Sequence, residues 1–420
     1  MLFGVPAVAS RFPAQVEGIA HFFADTTGQM AAVALSHITK STVDIQAHYD
    51  ASGPAVVSVT PINPIAPNKV RILLVPGHEP NYGGAEYKSL KERNMTVELA
   101  QDLSAFLNDD GHYQVFVTRD SQEWSSDFSA YFKNDWNDIV TWEKASALDM
   151  AHSISIGATK ASTSTIVHNT APADVATRLY GITKWANEND IDITIHIHFN
   201  DYPDHTADSP GTHSGFVIYI PEHQYSNSTT SKIVAETIFK RLSKYNPVSD
   251  LKGESSGLVE DPDLIAIGAN NTAAAASMLI EYGYIYEPQF SDSDTSSLAI
   301  KDLAYQTYLG LQDFFTASSS VSLGRVYDTV ALPHSWIRVI SGKNTQSPDV
   351  FALQSAMMAD GEYPPAHKSM SDCPRTGKLG TCTENALQLF QKKYQVTGEK
   401  NIVGEKTLNI LNQNYGMSSI

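Results

Sequence analysis

The chain has 420 residues, 42% of them hydrophobic and 18% charged, and carries a formal net charge of −17. That length allows two or three domains, each with its own core. The acidic balance argues against nucleic acid or an anionic membrane surface as partner, since both repel it.

In chain order, residues 1–66 read as an N-terminal segment of unassigned role. It holds an amphipathic helix around Val16–Ile38 and then a polar stretch. The opening Met1–Ser10 is mildly apolar but lacks a basic leader, a poor match to an export signal. Pro61, Pro64 and Pro67 mark a stiff linker, because each proline fixes φ and blocks regular structure. A regular alternation follows. Val70–Val75 reads as a buried strand, Tyr87–Leu107 as a helix, and Gln114–Thr118 as a second strand. Val175–Asn187 is helical and leads into the strand Asp192–Phe199. Gly215–Ile220 and Ser277–Tyr284 are strands around a helix at Thr230–Tyr245, and Ser291–Ala317 is a closing helix. The pattern predicts an α/β domain at 67–318 with a mostly parallel twisted sheet covered by helices on both faces. Residues 120–174 exceed what the alternation needs. They are rich in aromatics (Trp124, Phe128, Tyr131, Phe132, Trp136, Trp142) and are expected to be a helical insertion, either packing decoration or a cover over a site. Ser318–Ser320 marks a soft junction. Nowhere does an apolar run reach the roughly 18–20 residues of a membrane span, so none is expected.

Four short motifs carry chemistry. His78 follows Pro76-Gly77 at a strand end, where glycine permits a tight turn. Glu92 falls near the start of the next helix, a position where a carboxylate also favours the helix dipole. In Ile193–Asn200, strand alternation puts Ile193, Ile195, Ile197 and Phe199 on one face and Thr194, His196, His198 and Asn200 on the other. Two imidazoles inside a buried strand are costly unless paired. Glu281 ends the apolar run Ser277–Ile280, suited either to a structural ion pair or to a general base with a raised pKa. Two His and one carboxylate with a further free carboxylate make a zinc hydrolase site.

Val75-Pro76-Gly77-His78, Leu90–Asn94, Ile197–Asn200 and Leu279–Tyr284, in that order, resemble the zinc-dependent N-acetylmuramoyl-L-alanine amidases of the amidase-3 type. The resemblance spans about 69–317 and includes Val117-Thr118-Arg119 and Gly215–Tyr219. It implies Zn2+ held by His78, Glu92 and His198, with Glu281 as catalytic carboxylate. His196 is a candidate for orienting the metal ligands and Asn200 for shaping the pocket. Three departures fall around the site. Val75 stands where the family has Asp, Glu79-Pro80 where it has Gly-Gly, and His196 where it has Ser. These put substrate preference in question more than the chemistry. In some relatives an inserted helix blocks the site, so a regulatory protein acting on 120–174 is a candidate partner.

The stretch 335–420 differs in composition and contains both cysteines. Three short helices, near 349–358, 380–394 and 403–411, resemble a small peptidoglycan-binding domain, and Thr383 is a candidate helix cap. A disulfide between Cys373 and Cys382 is expected. The whole reads as an exported cell-wall amidase that cuts between N-acetylmuramic acid and L-Ala, with peptidoglycan as partner. The alternatives are another zinc hydrolase acting within the stem peptide, or a wall-binding protein that has lost catalysis.

Overall fold

The computed structural model describes residues 3–4, 39–51, 69–166, 168–206, 208–316 and 327–417. The expected helix at Val16–Ile38, the proline linker and the junction at Ser318–Ser320 lie outside the described residues.

Helix α1 (Thr42–Ala51) occupies part of the stretch read as polar. Only Ile45 and Tyr49 bury a side chain, which is too sparse an apolar pattern to announce a helix. Its start is closed reciprocally: Ser41 N donates to Asp44 Oδ2 at 3.0 Å and Asp44 N to Ser41 Oγ at 3.2 Å. Tyr49 then stacks on Phe315 at 4.3 Å and on His112 at 4.5 Å.

The central sheet has six strands. In chain order they are β1 (Val70–Pro76), β2 (Tyr113–Val117), β3 (Ile193–Asn200), β4 (Val217–Pro221), β5 (Leu258–Asp261) and β6 (Ala276–Tyr284). Their spatial order is β2-β1-β3-β6-β4-β5. All neighbours are parallel except β6 and β4. The mostly parallel α/β class is thus borne out, as are helices on both faces. Strand β5 carries no clear sequence signal. Its four residues, Leu-Val-Glu-Asp, are short and mixed because they form a sheet edge.

The alternation in β3 is realised. Ile193, Ile195, Ile197 and Phe199 join Ile72, Leu74, Met278 and Ile280 in the main core. That core packs against α2 (Glu92–Asp110), α6 (Ser228–Tyr245) and α7 (Ser293–Phe315). Facing the other way, Leu73 and Val75 pack under α5 (Ala173–Glu188) through Ile182, Trp185 and Ala186. His196, His198 and Glu281 share this second face by strand parity.

Helix α2 begins at Glu92, later than the run from Tyr87 predicts. Residues 86–91 instead form a two-rung hairpin, Glu86 opposite Lys91 and Tyr87 opposite Leu90. Lys88 has φ +53 there, which no helix accommodates.

The insertion is helical, with α3 at Ser126–Asn134 and α4 at Trp136–Ser155. Phe128 is buried against Trp185 at 4.7 Å, and Ile139 packs with Tyr180. Much of its aromatic content therefore serves packing on α5.

Helices α8 (Pro348–Asp360), α9 (Thr381–Lys393) and α10 (Glu405–Tyr415) form the small all-α part around its own core of Trp336, Leu353, Leu387, Phe390 and Leu411. Thr383 does not cap α9. Its hydroxyl donates to Lys378 O at 2.7 Å, and the cap position is Gly380. Cys373 and Cys382 are disulfide-bonded, with Cα atoms 5.7 Å apart. This part is joined to the sheet domain by Arg375, which pairs with buried Asp302 of α7. Its guanidinium lies 4.3 Å from the Phe351 ring and 4.8 Å from the Tyr245 ring. Among the described residues no helix is long and apolar enough to cross a membrane.

Candidate metal centre

The centre is built where β1 and β3 end side by side. Gly77 N donates to Ile197 O at 2.9 Å, so the pairing continues past β1. His78 then turns with φ +70. The turn strain therefore falls on His78 itself, and Gly77 serves a different need. A Cβ at Gly77 would lie 2.3 Å from His198 Cε1, so the missing side chain is the space His198 occupies. Gly84, at φ +83, serves in a similar way, since a Cβ there would stand 2.9 Å from His78 Cδ2.

Buried Arg119, just past β2, holds this turn. Its guanidinium donates to Pro76 O at 3.2 Å, to Gly77 O, and to Arg93 O at 3.1 Å. Burial pushes its pKa down to about 10.

Glu92, the first residue of α2, is fully buried. Its Oε1 lies 2.8 Å from His78 Nε2 and 3.0 Å from His198 Nδ1. The same carboxylate accepts Phe199 N at 3.1 Å and Ala85 N at 2.8 Å. Burial pushes this carboxyl up. The His78 charge and the hydrogen bonds from His198 and His78 outweigh that and leave it well below the usual range. Burial drives the His198 imidazole down to about 4, against the Glu92 hydrogen bond. One ligand atom from each of His78, Glu92 and His198 lies within 4.8 Å of the others. Two imidazoles and a carboxylate, converging out of water, fit a zinc-type dication.

Glu281 stands opposite His198 in the β6–β3 ladder. It is fully buried, and neither carboxyl oxygen has a hydrogen-bond partner among the described residues. Burial, and then the charges of Glu92, Glu254 and Asp201, raise its pKa well above the ordinary value. His196 sits two residues deeper on β3, 1% exposed, with Nε2 unpaired among the described residues. Asn200 turns to another task. Its Nδ2 donates to both oxygens of buried Glu254 at 3.1 Å, and Glu254 also accepts from Tyr219, Ser249 and Tyr284.

A cleft beside the centre is lined by His78, His196 and His198 on the sheet side. Trp124 of the insertion and Val175, Leu179 and Ile182 of α5 form its far wall. Glu79 and Arg178 also line it and are paired at 2.7 Å. Glu254 and Arg178 escaped sequence reasoning. Glu254 lies in an unpatterned loop, and Arg178 reads as an ordinary polar position on a helix. A second grouping, Glu222, His223 and Glu260, is largely exposed, and such clusters form without an ion.

The fold and this centre define an α/β domain with a candidate metal site of the hydrolase kind. Residues 72–313 match the family described as N-acetylmuramoyl-L-alanine amidase, more than half of the chain. The chain belongs to that family, whose substrate is peptidoglycan. Among solved structures it is similar to the N-acetylmuramyl-L-alanine amidase Ami1 from Mycobacterium smegmatis, at 15% identity and TM-score 0.38 over 59% of this chain and 98% of that one. An N-acetylmuramoyl-L-alanine amidase from Clostridium difficile 630 aligns at 16% identity and TM-score 0.37, over 59% and 98%. The CwlD amidase from Clostridioides difficile, solved in complex with the GerS lipoprotein, aligns at 15% identity and TM-score 0.38, over 60% and 100%. A search of curated proteins finds no match.

Proposed function

We propose that this chain hydrolyses the amide between the lactyl group of N-acetylmuramic acid and L-Ala, with zinc held by His78, Glu92 and His198. The convergence of those three ligand atoms within 4.8 Å, beside a buried Glu281 whose oxygens have no hydrogen-bond partner among the described residues, carries the reading. When bound, zinc supplies carbonyl polarisation and a more acidic water. Glu281 takes a proton from the attacking water and hands it to the departing amine, a task suited to a carboxyl whose pKa burial has raised. Glu92 keeps both imidazoles in place, and Arg119 fixes the turn that presents His78. Asn200 shapes the site indirectly, by tying the end of β3 to Glu254.

The same reading assigns residues 67–318 to catalysis, with 120–174 as an insertion, and 335–420 to peptidoglycan binding. A wall-binding module keeps the enzyme on its polymer and raises local concentration without new catalytic contacts. Because the substrate is cell wall, the site of action is outside the cytoplasm.

The deciding experiment digests purified peptidoglycan with wild type and Glu281→Gln, with and without chelator, and identifies new ends by mass. Free L-Ala amino termini from wild type alone, and only with metal, are expected. New ends within the stem would point to a peptidase. Wall binding without any new ends would mark a lapsed enzyme.

A further inference from the structure

His196 is the polar group that this mechanism leaves without work. It sits in the middle of the sheet, its Cα paired with Val75 on one side and Leu279 on the other. Both neighbours are apolar and fully or almost fully buried. Buried polar atoms in folded proteins are nearly always hydrogen-bonded, so an imidazole kept here with Nε2 unpaired among the described residues needs a reason. Apolar packing would be satisfied by leucine. Orientation of a metal ligand would need a hydrogen bond to His78, Glu92 or His198. His198 Nδ1 is bonded to Glu92, and no bond links His198 to His196. What His196 does share with those residues is the cleft, which it lines together with His78 and His198.

We infer that His196 is a substrate-binding residue, forming the floor of a subsite for the stem peptide and donating from Nε2 to a peptide carbonyl oxygen next to the scissile amide. This rests on the amidase reading and names which side of the substrate enters the cleft. The opposing wall decides the side. Val175, Leu179 and Ile182 on that wall offer no hydrogen-bonding side-chain atoms, and the polar lining residues Glu79 and Arg178 are engaged with each other, so a hydroxyl-rich sugar ring would lose its water contacts there without replacement. A small residue such as alanine presents a methyl group to that wall and one carbonyl to the imidazole. A polar group without a partner of its own, set against an apolar wall, is how a pocket fixes orientation. Removing a donor that pairs with a substrate carbonyl penalises ligands that carry the carbonyl, and leaves those without it unaffected.

The test uses the full chain loaded with zinc, as wild type, His196→Leu and His196→Gln. Metal content is measured by mass spectrometry. Binding of a free L-alanyl stem tripeptide is measured by calorimetry. Cleavage is compared between a muramoyl L-alaninamide and a muramoyl ethylamide, which lacks the neighbouring carbonyl. The expected result is equal zinc in all three proteins and a loss of tripeptide affinity of about tenfold in the Leu variant, with partial recovery in Gln. The wild-type preference for the alaninamide over the ethylamide should vanish in Leu. Equal tripeptide affinity and an unchanged preference would overturn the inference. So would a fall in zinc content in the Leu variant that tracks its loss of binding, since His196 would then act through the metal ligands. If wild type cleaves neither amide, the amidase reading fails by itself. Tripeptide binding that still depends on His196 would keep the subsite.

Discussion

The substitution Gly77→Ala tests the geometry of the centre most directly. An ideal Cβ at that position lies 2.3 Å from His198 Cε1, 2.5 Å from Nε2 and 2.6 Å from Nδ1. Non-bonded carbons settle at about 3.5–4.0 Å, so the ring must retreat by more than about 1 Å. It has little freedom to do so. Nδ1 is bonded to Glu92, and the strand on either side is locked to β1 and β6. Overpacking of this kind costs about 1–3 kcal/mol. A displacement near 1 Å at a reacting centre lowers the rate on the order of a hundredfold. The variant should therefore stay folded, melt a few degrees lower, bind zinc at least about tenfold more weakly, and release new wall ends on the order of a hundredfold more slowly. Zinc content by mass spectrometry and end-group release from purified wall check this. Gly380→Ala is the control, since a Cβ there meets no atom within 4 Å. A Gly77→Ala protein with wild-type zinc affinity and turnover would mean that His198 does not stand where the ligand set needs it.

Glu281→Gln should abolish most turnover yet stabilise the metal-free protein. The folded pKa of Glu281 is raised, so above the unfolded value of about 4.5 the native state must hold a proton that the unfolded chain has released. Stability is therefore lost as pH rises, by about 1.4 kcal/mol per unit until the folded pKa is reached. Thermal melts of the apo proteins should show the Gln variant ahead at pH 7.5 and level with wild type near pH 4. His198 runs the other way. Its folded pKa of about 4 lies below the ordinary 6.5, so its contribution is whole above pH 6.5 and disappears as pH falls toward 4. That loss is roughly 3 kcal/mol for the metal-free protein, and in the Glu281→Gln background, where the opposing titration of Glu281 is gone, denaturant titrations at pH 7 and pH 4 should differ by about this much. Replacing Cys373 and Cys382 by Ser opens a short loop and should cost about 2–3 kcal/mol in the C-terminal helices. Wall-binding assays of that variant should show weaker retention at 37 °C, with turnover of a soluble muropeptide unchanged.

Much of the architecture could be read directly. Alternation in Ile193–Asn200 told which side chains would face the core, because strand parity depends on nothing beyond the strand itself. The helical insertion was anticipated from its excess length over the alternation and its aromatic content. The start of α2 was not, since the hairpin at 86–91 is held by contacts of Glu92 with Ala85 rather than by any propensity of its own residues. Helix α1 was missed for a related reason: Tyr49 matters only because Phe315 and His112 stack on it, and Ile45 only because the main core receives it.

At the centre, the chain alone determined which residue types were on offer, at which strand and helix ends, and which face of β3 would hold imidazoles. These are consequences of periodicity and local chemistry. Convergence was decided by tertiary structure. His78, Glu92 and His198 meet because β1 and β3 are neighbours in register, with α2 starting beside them. Pairing over such distances along the chain leaves no local trace. For the same reason, only the folded protein assigned Gly77 its role as space for a ring 121 positions away, Arg119 its hold on that turn, and His196 its place in the cleft floor.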